Sequence, residues 1–375
     1  MRAFLQRSYE RFRGIDPPER IVPAMDGPLH PNAMLDEAPV LLEQEGIDNL
    51  CVAPAGVFAS AASELLSLMP EGEGFRAQPL ETFARPITCI ASDGAGALAI
   101  GQDGEGILIR GGAHDGMALT GTGATRFACP TGCVFVDPHT LIVAIGSDEH
   151  VAAEWKRDLM KQCHSGSVWR IDLGKGAEAA VPLAKGLAFP SGLALGRQGE
   201  LFVSEAWEHR VVGLSASEPS APVELLIELP AYPGFVAPTS DGAFWLALFA
   251  PRNPLVEFVI LERRYCERMI DTVDPQFWIA PALSSGKSFL EPIQGGARKK
   301  LNVLKPWSPS WSYGLALQCN AQFRPVASVH SRADGNVHGV TSLAEKDGRL
   351  MIGACGSGRV VAVPVNAQIG IGVEL

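Results

Sequence analysis

At 375 residues the chain exceeds the usual single-core size but lies within the range of closed barrels and propellers. Its 40 glycines, 28 prolines and 19% charged residues describe a turn-rich globular chain and exclude a disordered one. A formal net charge of -10 argues against a nucleic-acid surface, which needs clustered Lys and Arg, and fits a small neutral or cationic ligand.

The chain opens on an N-terminal arm, residues 1–40. Met1 to Arg13 has the pattern of a short amphipathic helix, with Phe4, Leu5, Tyr9 and Phe12 near one face and four arginines elsewhere. Two placements follow for it: peripheral contact with an anionic membrane, or packing on the rim of the main domain. No stretch reaches the ~18 apolar residues of a membrane span, and no apolar run of signal-peptide kind is present.

Six copies of one unit follow: a small or polar turn, an apolar strand, a Gly or Asp-Gly turn and a second apolar strand. Asp48-Asn49-Leu50-Cys51-Val52 precedes Gly56-Val57-Phe58-Ala59, and Ile87-Thr88-Cys89-Ile90-Ala91 precedes Gly96-Ala97-Leu98-Ala99-Ile100. Gly132 to Val136 with Leu141 to Ala144, and Gly192 to Leu195 with Glu200 to Val203, form the next two. The last are Phe235-Val236-Ala237 with Ala243 to Leu246, and Gly339 to Leu343 with Arg349 to Ile352. A strand-only repeat of this length predicts an all-β fold, a six-bladed β-propeller forming a single domain over residues 1–375. No blade can bury its own faces alone, so function is expected where blades converge.

The spacing breaks once, at residues 250–311. Pro254 to Val273 has helical content, with Leu255, Phe258, Val259 and Glu262 at helical spacing, and the remainder is rich in Pro, Gly, Ser and Trp. A long insertion in a compact domain predicts a partly helical lid over the mouth of blade five.

The eight cysteines fall mostly within apolar strand runs and lack metal-knuckle spacing; they read as buried free thiols, hence a reducing, cytoplasmic setting. Ser284-Ser285-Gly286-Lys287 and Gly121-Thr122-Gly123 lack the companion motifs that would make them an acyl-enzyme or a dinucleotide site.

Ala84-Arg85-Pro86-Ile87-Thr88, Ser165 to Asp172, Leu187 to Leu195, Leu229 to Phe235, Asp241 to Leu248 and Asp334 to Ser342 come in an order and spacing that resembles strictosidine synthase-like proteins. The resemblance covers roughly residues 40 to 365 and extends to the paraoxonase and senescence-marker-protein/gluconolactonase superfamily. It implies a six-bladed propeller with a site at the mouth of the central channel. It also implies a calcium ligand at Asp48 with Asn49 beside it, but Thr131, Ser191, Gly234 and Phe235 stand where further ligands are expected. One Asp with two hydroxyls binds calcium poorly, so the expectation is no cofactor, or weakly bound calcium. The acid/base Glu of plant strictosidine synthase falls on Thr341, which cannot act as that base.

Asp48, at a blade start, is the leading candidate for catalysis; His338 and Glu205 are the other catalytic candidates. Asn49, Thr131, Ser191, Phe235, Thr341, Trp155 and Trp207 are expected to line a small-molecule site. Asp148, Glu149 and His150, after the second strand of blade three, are a weaker set. Three functions remain: a hydrolase of a small ester or lactone, a non-catalytic propeller that binds a small molecule or protein, and a carbon–nitrogen bond-forming lyase, disfavoured by Thr341.

Overall fold

The computed structural model describes residues 22–284 and 312–365, with the backbone of a short hairpin, Lys299–Lys300 against Val303–Leu304. The expected helix at residues 1–13 lies outside the described residues, as does the second half of the insertion apart from that hairpin.

Six four-stranded antiparallel sheets account for the repeats. From the innermost strand outward, blade one is Ile47–Ala53, Gly56–Ala61, Glu64–Glu71 and Gly74–Thr82; blade two is Ile87–Ser92, Leu98–Gln102, Gly106–Arg110 and Ala118–Leu119. Blade three is Pro130–Asp137, Thr140–Ile145, Gly166–Asp172 and Val181–Leu187, and blade four is Pro190–Leu195, Glu200–Glu205, Arg210–Ser215 and Val223–Leu226. Blade five is Ala231–Pro238, Phe244–Pro251, Gly314–Cys319 and Pro325–Ser331. Blade six is Val340–Lys346, Arg349–Ala354, Arg359–Pro364 and, as its outermost strand, Val40–Glu43 from the other end of the chain.

That last pairing closes the ring: Val40 lies opposite Val361 and Glu43 opposite Arg359. The innermost strands of successive blades adjoin, blade six against blade one. Residues 22–39 lie along blades five and six, held by Asn32 on the Ser328 carbonyl and His330 N–H and by Asp36 on Ser331 and Asn336.

Second strands are largely apolar because both of their faces are covered. Thr140–Ile145 is buried at every residue, sandwiched between neighbouring blades, which removes the alternation of a one-sided sheet. The core is correspondingly divided into interblade layers. Cys51, Leu65, Ile87, Ile90 and Ile100 fill the space between blades one and two, and Leu50, Ala59, Leu66, Met351 and Val360 that between six and one.

Among the described residues three α-helices sit on the face where innermost strands begin: α1 (Trp155–Lys161) in blade three, and α2 (Pro254–Leu261) and α3 (Arg263–Thr272) in the insertion. The helical expectation for 254–273 holds, with a break at Glu262, whose ψ of 69° leaves the helical region. The buried face differs from the expected one: Val256, Val259 and Ile260 are covered, whereas Phe258 is 59% exposed.

Candidate functional site

Each innermost strand begins with the same irregularity. Register shifts fall between Asp48 and Cys51, Ile87 and Cys89, Pro130 and Gly132, Pro190 and Gly192, Pro233 and Val236, and Val340 and Ser342. A bulge re-aims the side chain that the ladder skips. Thr88, Thr131, Ser191, Phe235 and Thr341 fall in these gaps and Asp48, paired with Ser60, stands at the edge of the blade-one gap; each is partly exposed between buried neighbours. The ring thus gathers one such residue from every blade. Thr88, its blade-two member, was not singled out from the sequence, although Ile87-Thr88 repeats the pattern of Pro130-Thr131, Pro190-Ser191 and Val340-Thr341.

Most of these polar groups tie one blade to the next. Asn49 Nδ2 donates to the Ile87 carbonyl at 3.2 Å and to Ser60 Oγ at 2.8 Å, with Asn49 itself in the left-handed region at φ 54°. Thr131 donates to the Pro190 carbonyl, and Ser191 to the Pro233 carbonyl at 3.2 Å. Across the closure, Thr341 Oγ1 donates to Asp48 Oδ1 at 2.7 Å. The second-strand residues opposite the bulges are small, Ser60, Gly101, Ala144, Ser204 and Gly353 in five blades. At Gly353 the reason is direct, because a Cβ there would lie 2.2 Å from Ser342 Oγ.

Asp48 is the one carboxylate in the ring. Oδ1 also accepts the Asn49 N–H at 2.8 Å, while no hydrogen bond engages Oδ2 among the described residues. Burial pushes its carboxyl above the ordinary range, against the lowering effect of the hydrogen bonds from Thr341 and Asn49 and of nearby Ser342. Cys355 lies close enough that burial, together with the Asp48 charge, pushes its thiol up to about 12. The insertion reaches this quarter: Leu283 O lies 2.5 Å from where a Cβ on Gly339 would be, so only glycine fits there, at φ 63°.

The other expected catalytic residues have different surroundings. His338 is buried; Nε2–H donates to the Arg332 carbonyl at 2.8 Å, leaving Nδ1 to accept from Ser312 Oγ at 2.6 Å. Glu205 was expected to face a ligand, and the structure corrects this. It is 1% exposed, Oε1 accepts the Ala188 N–H at 2.8 Å and Oε2 takes Arg210 Nε at 2.7 Å, which makes it a strut between blades three and four.

Trp155 and Trp207 belong to an aromatic group over blades three to five. Their rings stack at 6.2 Å, Trp207 stacks on Phe189 at 4.6 Å, and Tyr232 stacks on Phe249 at 5.8 Å. Trp155 meets Phe249 edge-on at 5.8 Å, and Lys156 Nζ sits 5.5 Å from the Trp155 ring, with burial lowering the proton affinity of its amine. Trp155 and Phe249 are the partly exposed members; Trp207, Phe189 and Tyr232 are buried. Phe189, Tyr232, Phe249 and Lys156 were not singled out in the sequence, because Phe189, Tyr232 and Phe249 fall at the ends of the repeated strands and Lys156 lies in α1, outside the repeat.

The helices of the insertion lie on this aromatic group: Val256, Val259, Ile260, Met269 and Trp278 join Leu159, Met160, Trp207 and Tyr232 in one apolar cluster. The insertion therefore spreads over blades three to five and reaches blade six at Leu283, beyond the blade-five mouth expected of it. Its polar clamp is Glu257, which takes Arg252 Nε at 3.1 Å and Tyr232 OH at 3.4 Å.

The calcium expectation meets a donor set that does not suit the ion. Calcium favours six to eight oxygens and several carboxylates. Here a single carboxylate stands in the ring and already holds two donors on Oδ1, and the Thr131 and Ser191 hydroxyls are directed at backbone carbonyls.

By architecture the chain is a six-bladed β-propeller of the kind seen in gluconolactonases and regucalcins. A gluconolactonase from Xanthomonas campestris superimposes with a TM-score of 0.54 at 11% identity, over 87% of this chain and 88% of that one. A regucalcin from Agrobacterium tumefaciens, described as a calcium-binding protein, gives 0.54 at 9% identity, over 87% and 92%. At these identities the likeness is one of fold. No protein-family profile matches the sequence, and no curated protein does.

Proposed function

We propose that this propeller hydrolyses a small ester or lactone at the covered mouth of its channel, with Asp48 as general base and without a metal. The observation that carries the reading is the Asp48 carboxyl: partly exposed at the ring, raised in proton affinity by desolvation, oriented through Oδ1 by Thr341 and Asn49, and with Oδ2 clear of hydrogen bonds among the described residues. A base whose affinity is shifted toward the working pH is suited to proton transfer. Oδ2 takes a proton from water as the water oxygen adds to the substrate carbonyl carbon. The acyl C–O bond then breaks, and the same proton passes to the departing alkoxide, leaving an acid and an alcohol, or a hydroxy acid from a lactone. Trp155 and Phe249 supply an apolar wall for the substrate, and the insertion limits the access of water. The gluconolactonase that shares this fold supports the substrate class.

A rigid binding propeller without turnover is the second reading, favoured by the engagement of His338, Thr131 and Ser191 with the protein itself. The lyase reading has no support at Thr341, whose hydroxyl is spent on Asp48. A panel of lactones and aryl esters assayed on wild type, Asp48→Asn and His338→Ala separates these. Turnover that falls in Asp48→Asn by about 10²- to 10⁴-fold supports the hydrolase. Turnover equal in wild type and Asp48→Asn removes Asp48 from the chemistry, and binding without turnover leaves the second reading.

A further inference from the structure

Away from the ring, the loop and helix between the second and third strands of blade three gather four side chains of metal-ligand type. Glu149, His150 and Cys163 each place a ligand atom within 4.8 Å of the others, with His150 and Cys163 buried. Cys163 Sγ lies 3.9 Å from His150 Nδ1, and Asp158 Oδ2 lies 3.1 Å from the same nitrogen. Zinc bonds of about 2.0–2.3 Å put tetrahedral ligand atoms roughly 3.3–3.8 Å apart, so small side-chain adjustments close this set around one ion. We propose that Glu149, His150 and Cys163, with the buried Asp158 carboxylate beside the imidazole, form a binding site for a zinc-class transition metal.

Three features argue for a built site. The backbone is fixed around it: Ser147 Oγ accepts the Glu149 and His150 N–H groups at 3.0 and 3.1 Å, and Gln162 in the left-handed region at φ 53° turns the chain so that Cys163 N–H returns to the Asp158 carbonyl at 3.2 Å. Asp158 is fully buried and oriented by Trp207, whose Nε1–H donates to Oδ1 at 2.7 Å, leaving Oδ2 toward the site, as partners outside the coordination sphere orient metal ligands. Two carboxylates and a thiol stand together, and the cation nearest the imidazole, Lys161 Nζ, lies 3.4 Å from Nε2, on the nitrogen that faces away from Cys163 and Asp158. A divalent ion would balance that charge. Sulfur and imidazole donors select zinc-like ions over calcium or magnesium. On binding, the Cys163 thiol gives its proton to solvent and its sulfur bonds to the metal. The ion would pin α1, which carries Trp155 and supports the insertion, so the site is independent of whether Asp48 is catalytic.

The test uses the full chain, stripped of metal under reducing conditions and titrated with cobalt(II). The expected result is one cobalt per chain, with thiolate-to-cobalt charge-transfer absorption and the visible bands of tetrahedral cobalt, displaced by zinc. Cys163→Ser loses the charge-transfer absorption. Should that variant fail to fold, Glu149→Gln, at an exposed position, weakens cobalt binding by on the order of tenfold or more. Zinc raises the melting temperature of the stripped protein and calcium does not. Absence of charge-transfer absorption in wild type, or its persistence in Cys163→Ser, overturns the proposal.

Discussion

Replacing Glu205 separates a structural carboxylate from a catalytic one. Glu205 is 1% exposed and serves two partners: the buried N–H of Ala188, and Arg210, which is 25% exposed and also holds Glu224 at 2.7 Å. In Glu205→Ala the Ala188 N–H loses its acceptor at a cost of about 1–3 kcal/mol. Breaking a buried ion pair costs about 3–5 kcal/mol, but Arg210 keeps Glu224 and some water, which places this case at or below the low end. The expected total is about 3 kcal/mol. Glu205→Gln keeps an acceptor for Ala188 but turns an amide NH2 toward Arg210, which retains Glu224, so about 1–2 kcal/mol is expected. Urea unfolding at neutral pH reads both as lower midpoints at constant slope, Ala below Gln below wild type. Turnover of the folded fraction stays near wild type. A variant with an unchanged midpoint and lost turnover would refute the structural assignment and return Glu205 to the chemistry.

Gly353→Ala drives a methyl to within 2.2 Å of Ser342 Oγ and 3.3 Å of Leu50 Cδ1, so a loss of about 1–3 kcal/mol and a displaced Ser342 are expected, read by urea midpoint together with turnover. Thr131→Val and Ser191→Ala each remove a hydroxyl from a neighbouring blade's carbonyl; each should cost about 1 kcal/mol in denaturant unfolding. His330 is pushed down to about 4 by burial and by His30. A histidine depressed in the folded state favours the neutral form there, so its contribution is full above about 6.5 and is lost as the pH falls through about 4, a difference of about 3 kcal/mol. His330→Gln should flatten stability between pH 7 and 4 in thermal melts; an acid limb as steep as that of wild type would contradict this.

The blades were legible because each contributes a largely apolar second strand between turns, as a sheet covered on both faces sustains. The bulge residues were legible in part, through the repeated pairing of an apolar residue with Thr or Ser at four of the six blade starts. Ring closure was not. Val40–Glu43 is four residues long, and nothing local in it identifies Arg359–Pro364 as its partner more than three hundred residues away. The Asp48–Thr341 hydrogen bond depends on that closure: the six-bladed reading brings both residues to one channel mouth without showing that they are direct partners. Helix α1 was missed because a seven-residue helix between strands carries too few turns for a clear period, and with it the grouping of His150, Asp158 and Cys163. Glu205 was misread because a strand-end acid looks the same in sequence whether it faces solvent or Arg210.

A carbon-13 NMR titration of the Asp48 carboxyl, assigned by its loss in Asp48→Asn, addresses the chemistry at the channel mouth most directly. A midpoint above the ordinary aspartate value of about 3.9 is expected, matched by the acid limb of kcat/KM on any lactone that is turned over. A midpoint at or below that value would mean that Asp48 is an ordinary ionised side chain, and the proposed base would be lost.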